Sequence, residues 1–478
     1  MAESLKKKTL FGMGWSFAEN LSLQGIQFII SVFLARILTP ADYGMVGMLT
    51  IFTAISQTII NSGFSTALVR KNNRTQTDLS TAFYFNVVIG IILYLVLFFS
   101  GPLIADFYNI PILENLIKVT AISLALNSFC IVQQALFTIK MDFKTQAKIA
   151  VTGAVVTGAT GITMAYTGFG VWAIVWPGII GSGVRCIMLW TISKWRPSRV
   201  FSVKSFKELF SFGSKLLASA LLDTTYNNIY PIVIGKKFSA TDLGYYSRAD
   251  GYSQLPATTV TGVLARVTFP LLCQIQNEND RLESVYRQLL RLSAFVVFPI
   301  LVGLAALSRP LIIFMITDKW AMCIPYLQIL CFALMWYPIH ALNLNLLEVK
   351  GRSDLFLKLE VIKKILGVGI LIIAIPLGIL WMCIGRVITS VICLFINTYY
   401  TGKLINIGFL KQMNDLFPIL ILSLSMGAVV WGINLFIPSN LLQIVTGILA
   451  GAAYYLGISY MIKSKELLYL LSLVKLKR

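Results

Sequence analysis

Arg36-Ile37-Leu38-Thr39-Pro40-Ala41-Asp42-Tyr43-Gly44 and Lys236-Lys237-Phe238-Ser239-Ala240-Thr241-Asp242-Leu243-Gly244 carry one pattern twice, 200 residues apart. A cation, an apolar residue, a hydroxyl, an Asp and a Gly recur in step. Thr39 or Ser239 can open the next helix as a cap, and the Gly permits a tight turn or a close helix approach. A second echo follows in the same order: Ser100-Gly101-Pro102-Leu103-Ile104 and Ser308-Arg309-Pro310-Leu311-Ile312. Two landmarks in register predict a chain built as two copies of one plan.

Around these landmarks lie about fourteen apolar stretches, the first near 11–34 and the last near 441–462, each long enough to cross a bilayer. A spanning helix needs about 20 apolar residues, because lipid offers no partner for free backbone groups. Hydrophobic residues make up 57% and charged residues 13%, against roughly 25% charged in an ordinary soluble domain. Of the 40 Lys and Arg, the odd-numbered gaps hold only Arg36, Lys236, Lys237, Arg248, Arg309 and Lys319. Most of the rest fall in the tails and even-numbered gaps, which marks those as cytoplasmic and places both termini inside. The net charge of +20 then belongs to cytoplasmic loops facing anionic headgroups, and no nucleic-acid partner is expected.

The expected fold is an all-α polytopic membrane protein: two pseudo-symmetric six-helix bundles and two further C-terminal helices. The bundles occupy 1–192 and 209–400, a cytoplasmic amphipathic linker 193–208, and the extra helices with a basic tail 401–478. Six is even, so both copies enter from the same side, as parallel repeats do around a substrate held between them. The linker carries Lys194, Arg196, Arg199, Lys204 and Lys207 among Trp195, Phe201 and Phe206, which fits a lipid anchor or a hinge. Lys6-Lys7-Lys8 opens like a signal peptide, but the apolar run that follows is too long and carries Glu19, Asn20, Gln24 and Gln27; it reads as a retained first helix. Seven cysteines without a CxxC pair read as packing residues.

The same residues carry a family resemblance. Gly14-Trp15-Ser16-Phe17, then Leu34-Ala35 running into the first landmark, resembles the opening of bacterial polysaccharide flippases. Asn61-Ser62-Gly63-Phe64-Ser65-Thr66-Ala67-Leu68-Val69, Leu243-Gly244-Tyr245-Tyr246-Ser247-Arg248-Ala249 and Asp318-Lys319-Trp320 look like further landmarks of that family. These are Wzx-type polysaccharide or O-antigen flippases, a branch of the multidrug/oligosaccharidyl-lipid/polysaccharide superfamily. The likeness covers most of residues 1–400. It implies an inner-membrane transporter that moves an undecaprenyl-pyrophosphate-linked oligosaccharide outward by alternating access, for surface polysaccharide such as lipopolysaccharide. It implies no cofactor, and a polysaccharide polymerase as an expected partner.

Charges inside the apolar stretches carry the site expectations. A charge near mid-bilayer costs roughly 2.5–3.5 kcal/mol and usually faces a cavity or a partner. Arg185, Lys215, Arg266 and Arg386 are the expected lining of a cationic lumen for the pyrophosphate, which Arg meets with a planar fork and Lys with a compact charge. Snorkelling to the interface is the competing reading. Glu19 and Asp223, at comparable depth in the first helix of each copy, are candidates for coupling to H⁺ or Na⁺, or for plain salt bridges. His340 reads as a hydrogen-bonded packing residue or a titrating group. Gln24, Gln27, Asn61, Asn127 and Asn343 can serve sugar hydroxyls or helix-to-helix bonds. Pro177, Pro231, Pro256, Pro299 and Pro338 mark kinks, and Gly153, Gly158 and Gly161 a close helix approach.

Two relatives in function stay open: a lipid-linked peptidoglycan-precursor flippase, whose substrate is also a pyrophosphate, and a multidrug exporter, whose lumen should favour carboxylates. A membrane-embedded glycosyl transferase or polymerase needs a sizeable outer loop, and none is present. No Walker-type phosphate loop, zinc spacing or nucleophile triad is seen, so no enzyme activity and no metal are expected.

Overall fold

The computed structural model describes residues 22–61, 63–71 and 73–475, with the backbone alone at 212, 215, 265–267 and 473–475. Every regular element among the described residues is helical. Ten helices there are long and apolar enough to cross a bilayer, eleven if the bent pair Ile112–Ser128 and Ile131–Ile139 is one span. Two further long helices, Val203–Asn227 and Ser353–Ala374, carry Lys207, Glu208 and Asp223, and Lys358, Glu360, Lys363 and Lys364, which lowers their hydropathy. Packing divides the chain into two units, Met1–Gly244 and Tyr245–Arg478.

In the first unit α1 (Ser22–Ile37) is followed by α2 (Pro40–Asn61), α3 (Phe64–Arg70) and α4 (Gln76–Tyr108). Then come α5 (Ile112–Thr120), α6 (Ile122–Ser128), α7 (Ile131–Ile139), α8 (Phe143–Tyr166) and α9 (Trp172–Ser193). The unit closes with α10 (Val203–Asn227) and α11 (Ile229–Lys237). The α6–α7 junction bends by 42° with neither Gly nor Pro at the corner. Trp190 explains its stability: its indole Nε1 donates to the Phe129 carbonyl at 3.1 Å, satisfying a group that the bend frees in an apolar setting. The α10–α11 break precedes Pro231, which has no N–H to continue the ladder; Asn228 turns back and donates its side-chain amide to Thr224 O at 2.8 Å.

The connection from α9 to α10 is fastened to the start of α4. Trp195 Nε1 donates to Gln76 Oε1 at 2.8 Å and Gln76 Nε2 donates to Arg196 O at 2.7 Å. Ser198 and Ser202 N–H groups donate to the Ser80 and Thr81 hydroxyls at 2.9 and 3.0 Å. Phe206 stacks with Phe64 and Phe210. Lys71 donates to Asp78 at 3.0 Å and Glu208 at 2.9 Å. Burial works against the Lys71 ammonium, but those hydrogen bonds outweigh it and raise its pKa. The segment is therefore a strap on the protein as well as an amphipathic stretch.

The second unit holds most of α12 (Ala240–Gln274), then α13 (Asn279–Ala306), α14 (Ser308–Ile316), α15 (Cys323–Leu334) and α16 (Tyr337–Val349). It continues with α17 (Ser353–Ala374), α18 (Ile379–Ile405), α19 (Phe409–Asn434), α20 (Asn440–Met461) and α21 (Lys465–Lys475). Pro338 stands at the start of α16, where a missing N–H costs nothing, whereas Pro177, Pro256 and Pro299 lie inside unbroken helices. The two copies of the second echo differ in outcome: Pro102 sits within α4, while Ser308 begins a new helix.

Polar pairs hold this unit together. Arg287 grips Asp415 side-on, Nε to Oδ2 at 2.7 Å and Nη2 to Oδ1 at 2.8 Å. Arg291 bridges Asp415 at 3.4 Å and Glu466 of α21 at 3.0 Å. Asn343 and Gln412 exchange amide hydrogen bonds at 3.0 and 2.9 Å, and the Thr401 hydroxyl donates to Asn343 Oδ1 at 2.6 Å. Asn397 donates to His340 Nδ1 at 3.2 Å, which leaves Nε2–H to donate to Ser390 Oγ at 3.1 Å; that hydroxyl passes its own proton to Ala333 O at 2.9 Å. His340 and Asn343 are thus bound helix to helix.

Candidate functional site

The repeated landmark folds into one capping geometry twice. Thr39 N–H donates to Asp42 Oδ2 at 2.8 Å, and Asp42 N–H returns a bond to Thr39 Oγ1 at 3.3 Å. Ser239 N–H and Asp242 repeat the exchange at 3.2 and 3.1 Å. Each hydroxyl also donates to its Asp at 2.7 Å. A hydroxyl and a carboxylate three residues apart satisfy two orphan donors of the helix start reciprocally.

The glycines two residues on bring these corners together. A Cβ on Gly44 would lie 1.6 Å from the Ala240 carbonyl oxygen, and one on Gly244 would lie 1.9 Å from that of Pro40. Only a residue without a side chain fits at either place, so the two copies of the motif meet through each other's first helical turn. Nearby, Lys236 donates to the Phe107 carbonyl at the end of α4 and sits 4.5 Å from the Phe107 ring centroid.

Arg185 projects from the middle of α9, half-buried. Its stem crosses Gly153 of α8, where a Cβ would come within 2.4 Å of the Arg185 Cγ. Among the described residues it has no carboxylate or hydrogen-bond partner. The α8 glycines thus do more than admit a neighbouring backbone: Gly153 makes room for a cation, and Gly158 for the Ile30 side chain of α1.

Arg386 is differently placed. It lies two turns into α18, and its Nη1 donates to the Asp250 carboxylate and, at 2.9 Å, to the Tyr246 hydroxyl. Gln254 Nε2 donates to the other Asp250 oxygen at 2.6 Å. Tyr246, Asp250 and Gln254 follow at i, i+4 and i+8 on α12, one above another on a single face. Other embedded cations also carry their own anion: Lys363 pairs with Glu360, and Lys118 with Glu114 at 2.5 Å.

Of the remaining expected lining, Lys215 lies on α10 and Arg266 on α12, with side chains outside the description; Glu19 lies outside the described residues. Asp223 is exposed on α10 beside Thr224, whose hydroxyl meets that of Thr58 on α2 at 3.0 Å. Asn61 accepts from Gln57 at 3.2 Å, and Asn127 donates to Gln57 at 3.3 Å, so both engage in helix-to-helix or along-helix bonds. Cavities open among the described residues of this unit. One of about 270 Å³ is lined by Val46, Thr50, Thr53, Thr120, Ser123 and Ser182 among others. One of about 500 Å³ is lined by Thr58, Asn61, Ser65, Thr66, Gln134 and Leu217 among others. Hydroxyls and amides dominate their polar lining, with no charged side chain.

The pattern of the polysaccharide biosynthesis protein family matches residues 33–325, more than half of the chain. The chain belongs to that family. The resemblance read from Arg36–Gly44 and its companion motifs therefore holds. The chain is 26% identical over 460 residues to the teichuronic acid biosynthesis protein TuaB of Bacillus subtilis (strain 168), covering 95% of each. To the lipopolysaccharide biosynthesis protein WzxC of Escherichia coli (strain K12) it is 26% identical over 376 residues, 77% of this chain and 76% of the relative. Its fold resembles that of the lipid II flippase MurJ in an inward closed conformation, with a TM-score of 0.77 at 17% identity, over 94% of this chain and 98% of that one. The family member is a multi-pass, all-helical membrane protein with the architecture of transporters.

Asp250 was not among the charges singled out in the sequence. Tyr245-Tyr246-Ser247-Arg248-Ala249-Asp250-Gly251-Tyr252-Ser253-Gln254 is too polar to count as membrane-embedded by hydropathy. The signal that could have found it is the Tyr–Asp–Gln spacing of four, set against an Arg in another span.

Proposed function

We propose that this protein is a flippase carrying undecaprenyl-pyrophosphate-linked oligosaccharide from the inner to the outer leaflet of the bacterial inner membrane by alternating access. Fourteen helices arranged as two six-helix repeats with two appended helices, both termini cytoplasmic, form the proposed topology. The observation that carries the reading is Arg185, a half-buried guanidinium at bilayer depth without a carboxylate partner among the described residues. An uncompensated charge there is costly, and an anionic headgroup supplies what is missing. The neutral cavities of the same unit, with hydroxyls and amides in their lining, suit sugar hydroxyls, while the polyprenyl tail stays in lipid. Membership of a family described by polysaccharide biosynthesis favours a glycan cargo over a drug.

Lys215, Arg266 and Arg386 complete the proposed cationic lining. Glu19 and Asp223 are proposed as the carboxylates that couple transport to H⁺ or Na⁺, and a polysaccharide polymerase as the downstream partner that receives the glycan. The test is Arg185→Ala, with Arg185→Lys as the conservative comparison. Delivery of lipid-linked glycan to the outer leaflet is expected to fall at least tenfold in the first, with protein levels near normal, and to recover partly in the second. Unchanged delivery in Arg185→Ala rejects Arg185 as a substrate contact.

A further inference from the structure

Arg386 carries an anion already, and the manner of their pairing is informative. We infer that Asp250 is the resident counter-ion of an exchange site: the diphosphate of the transported lipid displaces Asp250 from Arg386, and Asp250 retakes the guanidinium when the headgroup leaves. The inference rests on the proposed lipid-diphosphate substrate and deepens it.

Three features of the second unit carry it. Between these two side chains the contact is end-on, from Nη1 to Asp250 Oδ1, whereas Arg287 holds Asp415 through two parallel bonds from Nε and Nη2. A bidentate pair is the stronger and more rigid, so Arg287–Asp415 is built to stay and Arg386–Asp250 to open. The carboxylates differ in exposure, 22% for Asp250 against 8% for Asp415, whereas the guanidiniums run the other way, 22% for Arg386 and 33% for Arg287. The distinction therefore lies with the anion, and Asp250 is the more reachable of the two. Lastly, Asp250 does not depend on Arg386 alone. Gln254 holds its second oxygen at 2.6 Å from the same helix, so the carboxylate keeps a donor while the guanidinium is away.

The physics sets the direction of exchange. Taking an anion from an Arg at bilayer depth is costly, so Asp250 stabilises the empty transporter as a placeholder. A diphosphate offers more charge and more acceptor oxygens than one carboxylate, and an Arg fork accommodates it bidentately. The placeholder therefore loses to substrate but wins once substrate has gone, which favours release as well as capture. Without it, Arg386 would hold the headgroup too long.

The full chain in lipid nanodiscs, titrated with undecaprenyl pyrophosphate, tests this, with undecaprenol as the probe lacking phosphate. Arg386→Gln is expected to weaken diphosphate binding at least tenfold. Asp250→Asn is expected to tighten it about tenfold while slowing glycan export in cells, and Asp250→Glu to behave as the parent. The double variant, which removes both charges, should bind as Arg386→Gln does. If Arg386→Gln weakens binding but Asp250→Asn binds no tighter than the parent, the exchange is overturned and the diphosphate site stands. If Arg386→Gln binds as the parent does, the diphosphate site at Arg386 is itself rejected. A gain in Asp250→Asn that undecaprenol shares equally also overturns the exchange, because it owes nothing to charge.

Discussion

Replacing Gly44 with Ala drives a methyl group into the carbonyl of Ala240, and the size of the conflict can be read directly. The added Cβ would stand 1.6 Å from that oxygen and 2.5 Å from its carbon; at Gly244 the corresponding oxygen, of Pro40, is 1.9 Å away. A carbon needs roughly 3.3 Å from a carbonyl oxygen even in a close C–H···O contact. The two corners must then part by about 1.7 Å in Gly44→Ala and about 1.4 Å in Gly244→Ala. Both obstacles are backbone atoms within capped first turns, so neither can swing aside. Overpacking of this kind costs about 1–3 kcal/mol, a bias of about 5- to 150-fold against the joined state. The assay is external labelling by a membrane-impermeant maleimide of a cysteine placed at Val46, two residues beyond Gly44 and part of the lining of the smaller cavity. The seven native cysteines are replaced beforehand. Gly178→Ala, where nothing lies within 4 Å, is the control and should label as the parent does. The double variant should gain less than the two singles combined, since one separation relieves both clashes. Labelling of Gly44→Ala and Gly244→Ala no faster than the control would refute the idea that the close approach of these two corners shields Val46.

Two stability predictions are simpler. Asp415→Asn leaves Arg287 facing a neutral partner at a nearly buried position and Arg291 with Glu466 alone, and thermal unfolding of the purified protein in detergent should show a loss of about 2–4 kcal/mol; an unchanged midpoint would show the network to be idle. Trp190→Phe removes the donor to the Phe129 carbonyl at the α6–α7 corner and should cost about 1–2 kcal/mol. Its signature is faster labelling of Cys130 at the bend, and a parent-like rate would show that the indole does not hold the corner.

The caps were legible in the sequence because they are local: a hydroxyl and an Asp three residues apart at 39/42 and 239/242 state their own geometry. The glycines beside them were legible only as options, and the partner across the corner decided between turn and approach. The α6–α7 bend left no local mark, since its cause is an indole sixty residues away. Arg386 could be picked out by depth, but its pairing could not, because hydropathy marks only the apolar part of a span. Asp250 stands in the polar opening third of the 35-residue α12, ahead of its apolar part. The close helix approach at Gly153 holds, with the Gly181 carbonyl 3.5 Å from an added Cβ, and the sequence left unmarked only the guanidinium stem that shares the place. Each miss concerns a contact between distant residues; the caps follow a rule that acts within one turn.

The amide and imidazole rungs joining α16 to α18 and α19 limit how those helices can move. Asn343 sits at the centre, bonded to both Gln412 and Thr401, and His340 links Asn397 to Ser390. Asn343, Thr401, Gln412 and Asn397 are buried, where a lost rung is costly to replace. Sliding any of the three rods by a single turn, roughly 5.4 Å, would strand several donors at once. Small tilts stretch the same rungs only slightly. The trio behaves as an indexed block, free to lean but locked in register.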